Sequence, residues 1–168
     1  MPQTQHTDFF CLPALTRWAE GLCPVGVASC RVADAPPPAR PFLAAALANH
    51  ANRPLIVIGE SFRDMDEIAA ALDVWLGTGS ALLFPPVELG RLAATPDPEV
   101  AAQRLATLLA LRRRDAGSPP PCVVTTLGAL DQPVPKPADL EALLLPIRPR
   151  DEAGLTRLIA TLGDAGYL

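Results

Sequence analysis

The chain has 168 residues, 49% hydrophobic and 19% charged, which is enough for one packed domain with a piece of another and excludes global disorder. A net charge of −4 argues against a general nucleic-acid footprint, which is normally basic. Residues 1–8 are polar, no apolar run reaches the ~20 residues of a membrane span, and four cysteines form no C-x-x-C pair, so a reduced cytoplasmic protein without a membrane contact is expected.

The 20 prolines cluster between patterned segments and mark connections. An amphipathic helix is predicted from about Phe9 to Leu22, followed by a β-like segment at 25–32 and a helix from Phe42 to Ala51. Pro54–Gly59 is a continuous apolar run, the composition of a strand buried on both faces. The next helix, Met65–Leu76, is apolar at Ile68, Leu72, Trp75 and Leu76, and Gly77-Thr78-Gly79 closes it. A short strand at 81–84 stops at Pro85-Pro86. Asp97, Pro98 and Glu99 then form a capped start to a helix ending in Arg112-Arg113-Arg114, and Cys122–Thr126 reads as a strand. Beyond the proline-rich stretch, 143–148 reads as a strand and 151–165 as a helix, a unit with no later strand to complete it. This alternation predicts an α/β fold with a three-layer parallel sheet, followed by the start of a second α/β domain.

Between the segment 25–32 and its helix lies Asp34-Ala35-Pro36-Pro37-Pro38-Ala39-Arg40-Pro41. A phosphate-binding loop at this place reads G-x-x-x-x-G-K-[ST], its backbone N–H groups cradling phosphate and its Lys reaching the outer phosphates. Overlaid, the first Gly becomes Asp34, the second Ala39, the Lys Arg40 and the Ser/Thr Pro41. An acid repels phosphate, prolines remove donors, and Pro41 has no hydroxyl for Mg²⁺. The architecture of a nucleotide binder is expected here without its chemistry: no cofactor, no metal and no catalytic residue.

Other candidates have competing readings. Arg40 is either an anion contact at a helix start or a solvated arginine. Gly59-Glu60-Ser61-Phe62-Arg63 resembles a nucleophile elbow but lacks the last Gly and a following His, so Ser61 is expected to cap a helix, with Asp64 as its box partner. Glu60, Asp64, Asp66 and Glu67 offset a helix dipole more readily than they bind metal. Gly77–Ser80 is a turn. Arg104 with Arg112–Arg114 is either a nucleic-acid contact or, as expected from so few bases, a solvated helix end, and Trp18 and Trp75 are expected in the core.

Several blocks, in order, resemble the N-terminal region of the bacterial transcription-repair coupling factor (Mfd), itself similar to the excision-repair protein UvrB. They are 42–47 (FLAAAL), 53–58 (RPLIVI), 82–85 (LLFP) followed by Glu88, 103–108 (QRLATL), 123–130 (VVTTLGAL), 145–152 (LPIRPRDE) and 165–167 (AGY). The resemblance covers about residues 30–168. It implies a helical extension at 1–24, a degenerate RecA-like (UvrB domain 1a-like) domain at 25–132, a proline-rich linker at 133–144 and the truncated start of a UvrA-interaction-like domain at 145–168. It also implies a non-catalytic module of nucleotide-excision repair that works by protein–protein contact. UvrA and other domains of the same factor are the implied partners, with Arg148, Arg150 and Tyr167 the contact candidates in this chain. RNA polymerase, DNA and the ATP-dependent translocase belong to parts absent here. The loop after Pro85, Pro86-Val87-Glu88-Leu89-Gly90-Arg91, lacks the family's aromatic residues, and the family's basic contacts lie just beyond the Gly-Tyr pair, where this sequence ends. A divergent α/β enzyme or NTPase, with polar residues gathered around Gly59–Asp64 and Thr125–Thr126, is the alternative; a free-standing scaffold is the third reading.

Overall fold

A computed structural model describes residues 13–22, 32, 34–51, 54–87, 97–113, 120–142 and 152–164. The chain divides into two compact units, residues 1–133 and 134–168.

In the first unit, three parallel strands form one sheet among the described residues: β1 (Leu55–Gly59), β2 (Ala81–Phe84) and β3 (Cys122–Thr126), in the order β1-β3-β2. Helix α3 (Phe62–Leu76) connects β1 to β2, and α4 (Pro98–Arg112) lies on the return from β2 to β3. These two crossovers run in opposite directions along the sheet, so right-handed connections require them on opposite faces. The packing agrees. Met65 and Leu72 of α3 are buried with Val124 and Cys122, together with Leu55, Val57, Ala81 and Leu83 from the same sheet face. Phe84, Val123 and Leu82, one residue out of phase, pack on the other face with Leu108 of α4 and with Ala129 of the short helix α5 (Leu127–Leu130). Helix α2 (Ala39–Ala51) joins the first layer through Ala45, and α1 (Pro13–Leu22) packs on α2. The edge of the Phe42 ring meets Trp75 at 4.9 Å between centroids, so Trp75 does sit against the core; Trp18 is half-buried.

Most described elements fall where apolar periodicity puts them, and the exceptions have local causes. Helix α3 starts at Phe62 rather than Met65, because the Ser61 hydroxyl accepts the Asp64 N–H at 3.1 Å as its N-cap. The Asp64 carboxylate does reach back, but to the Glu60 N–H at 2.8 Å, one residue earlier than a capping box would have it. Gly59 sits in a tight junction: a Cβ there would lie 3.0 Å from Asp64 Oδ2 and 3.2 Å from the Met65 nitrogen, so the start of α3 would have to give by a few tenths of an ångström. At the far end Gly77 has φ 101°, open to glycine alone without strain. Helix α4 is capped by Asp97 through the Glu99 N–H, as its composition predicts.

The expectation for β1 is corrected. Its apolar run suggests burial on both faces, yet Ile56 and Ile58 are 56% and 51% exposed while Leu55 and Val57 pack inward. Among the described residues, helix α4 lies over β2 and the adjoining side of β3, and that face of β1 stays exposed.

The second unit contains α6 (Pro137–Ala142) and α7 (Glu152–Asp164) among its described residues. Helix α6 falls within the proline-rich stretch expected to be a linker, with Pro137 at its first position, where the missing N–H costs nothing. The segment 25–32 apart from Val32, the loop 88–96, the strand expected at 143–148 and the candidates Arg148, Arg150 and Tyr167 lie outside the described residues. Among the described residues no helix is long and apolar enough to cross a membrane.

Candidate functional site

Two places qualify as sites: the loop entering α2 and the cleft at the C-terminal ends of the strands. The loop differs from its expected form in one respect. Helix α2 begins at Ala39, so Ala39, Arg40 and Pro41 are its first turn rather than part of the preceding loop. Three prolines read as a breaker, but a helix tolerates proline in its first turn, and Pro41 is buried there. Asp34, at the place of the first P-loop glycine, has φ 59°, the left-handed conformation a glycine would favour.

Phosphate binding at a helix start needs free N–H groups. From Pro36 to Pro41 only Ala39 and Arg40 carry one, and both are engaged. Ala39 N–H donates to the Pro36 carbonyl at 2.9 Å, and Arg40 N–H to the Pro37 carbonyl at 3.2 Å. The helix dipole remains, but both N–H groups of this turn are bonded to carbonyls of the same turn. The Arg40 side chain is exposed.

The cleft, of about 610 Å³, is where open α/β sheets bind ligands. Its walls come from the ends of β1 and β3, the starts of α3 and α5, and Pro86 after β2. Ile58, Phe62 and Leu127 supply much of its apolar surface; Glu60, Ser61 and Thr126 supply the polar side chains. Both hydroxyls serve as caps: Ser61 accepts from Asp64 N–H, and Thr126 accepts from Ala129 N–H at 3.3 Å. Thr125, the other polar residue foreseen at these strand ends, is buried and donates to the Phe84 carbonyl at 2.7 Å. The elbow-like Ser61 has no histidine among the described lining residues. The acidic cluster is dispersed as well. Asp64 serves the Glu60 N–H, and exposed Glu67 pairs with Arg63 at 2.9 Å, which raises the Arg63 pKa. No three His, Cys, Asp or Glu residues converge to hold a metal among the described residues.

One side of the cleft is fixed by a network the sequence reading placed wrongly. Arg104 is not a solvated helix end but is buried. Its guanidinium stacks 4.0 Å over the Phe84 ring and donates to the Pro85 carbonyl at 2.7 Å and to Gln132 Oε1 at 3.1 Å. Burial lowers its pKa from the ordinary arginine value. Gln132 in turn holds Val87 by both backbone groups, accepting its N–H at 2.8 Å and donating to its carbonyl at 2.9 Å. Thr107 donates to the Leu83 carbonyl. Three successive carbonyls at the end of edge strand β2, those of Leu83, Phe84 and Pro85, are therefore each taken by a side chain. Arg104, Thr107 and Leu108 recur at the i, i+3 and i+4 positions of one face of α4, the signal that could have revealed Arg104 as inward-facing.

The chain matches no protein-family model and no curated protein sequence.

Proposed function

We propose that this chain is a non-catalytic, protein-contacting module with a degenerate RecA-like core, of the kind that stands at the N-terminus of bacterial transcription-repair coupling factors. The observation that carries the reading is the entry to α2. At the position of a phosphate loop, the two N–H groups between Pro36 and Pro41 are bonded to the carbonyls of Pro36 and Pro37. No donor of that turn is left for a phosphate, and Asp34 adds repulsion. The parallel sheet with helices on both faces supports the same ancestry, and the ordered blocks of resemblance supply the family.

A titration with fluorescent ATP in Mg²⁺ is expected to give no saturable binding, and micromolar, Mg²⁺-dependent affinity would sink the reading. Its family half is tested by pull-down of UvrA. UvrA retained by the chain would support it, and no retention above a control would count against it. The cleft at the strand ends favours the enzyme reading by location alone, because its hydroxyls cap helices and no histidine stands among its described lining residues.

A further inference from the structure

We propose that the uncovered face of β1, continued into the cleft, docks an amphipathic helix with basic flanks from a partner protein. The inference rests on the reading of this chain as a protein-contacting module and gives that contact a location and a chemistry.

The register defines the face. Ile56 lies beside Val123 and Ile58 beside Thr125, while Leu82 and Phe84 flank the same β3 residues from the other side. All six side chains therefore share one face of the sheet. Over β2 and β3 that face is closed by α4 and α5, which bury Val123, Thr125 and Phe84. Over β1 it is open. Ile56 and Ile58 continue there into Phe62 at 45% and Leu127 at 72% exposure, and three of these four line the cleft. Apolar residues exposed singly need no explanation, but a contiguous patch running into a cleft marks an interaction surface.

The occupant follows from layer geometry and charge. Parallel sheets carry helices on both faces, and here the described helices of the second layer stop one strand short. The gap lies beside α4, where a helix packs at ~8–10 Å from its neighbour and would cover Ile56 and Ile58. An added strand would satisfy the backbone of an edge but leave this face bare. Glu60 is the ionisable side chain among the described lining residues, and exposed Asp131 follows Leu130 at the end of α5. The nearest base on α3, Arg63, is paired with Glu67. Basic flanks on the incoming helix complement this rim. A second copy of the chain fits it poorly, because the net charge is −4 and α7, whose Leu155 and Ile159 are exposed, carries Glu152 and Asp164 against Arg157.

The test uses the full chain and a fluorescein-labelled synthetic helix with Leu at i, i+3, i+4 and i+7 and lysines at its flanks. Two twins accompany it, one with the lysines changed to glutamate and one interrupted by proline. Anisotropy is expected to show saturable binding by the basic helix, weakened at least ~10-fold for either twin and for Ile58→Lys. Methyl shifts should centre on Ile56, Ile58 and Leu127. Leu155→Lys is expected to bind as wild type. Leu127→Lys, at a more exposed position, keeps the test valid should Ile58→Lys unfold. Absence of saturable binding, equal binding by a twin, shifts centred on α7, or a dimer that Ile58→Lys dissolves would each overturn the proposal. The ATP titration reads the entry to α2 and not this face, so either reading can fail while the other stands.

Discussion

Burying a guanidinium against a ring and two neutral oxygens, as Arg104 does, leaves a charge whose stability depends on every partner staying in place. Arg104→Ala is expected to cost about 2–4 kcal/mol in urea unfolding, since it removes charge-assisted hydrogen bonds and the packing over Phe84. Combined with Gln132→Ala it should be strongly non-additive, because Gln132 also anchors Val87. Cys122 gives a pH test. Burial pushes its thiol from 9.0 up to about 11, so the folded state holds that proton more tightly than the unfolded one. A raised folded pKa means full stability below pH 9 and loss as pH rises from 9 through about 11. Relative to Cys122→Ala, the wild type should therefore lose stability in that window; parallel profiles would refute it. The cysteine fits the buried thiol expected of a reduced protein, whereas grouping Arg104 with Arg112–Arg114 at the helix end hides its inward turn.

Asp73 shows how one side chain can set the junction between two elements. Its two carboxylate oxygens accept the Gly79 N–H at 3.0 Å and the Ala81 N–H at 2.9 Å, tying the end of α3 to the start of β2. Ser80 adds a bond from its hydroxyl to the Leu76 carbonyl at 3.0 Å. Asp73→Ala is expected to destabilise by about 1–3 kcal/mol and Asp73→Asn by less, because the amide retains one acceptor for two donors. The turn itself was legible from Gly77-Thr78-Gly79; the clamp was not, because Asp73 is a helix residue acting on backbone six and eight positions later. The entry to α2 teaches the converse. Consecutive prolines signal a break, yet the chain turns helical as soon as Ala39 and Arg40 can donate to the proline carbonyls behind them.

For the whole molecule, the exposed apolar residues fall into separate groups. The uncovered face of β1 belongs to the first unit, and Leu155 with Ile159, four residues apart on α7, to the second. The α7 stripe is expected to drive self-association at high concentration. Sedimentation should show oligomers that Leu155→Lys with Ile159→Lys abolishes and Ile58→Lys leaves intact; a monomer at all concentrations would count against this.

The sequence by itself determined the α/β class and the positions of β1, β2, β3, α3 and α4. Apolar periodicity and cap residues are local properties, legible wherever the chain is read. Only the tertiary structure decided the strand order β1-β3-β2, the inward turn of Arg104 and the half-exposed face of β1. An apolar run states that a strand prefers burial. Whether a helix reaches far enough across the sheet to provide it depends on residues dozens of positions away, and α4 stops short of Ile56 and Ile58.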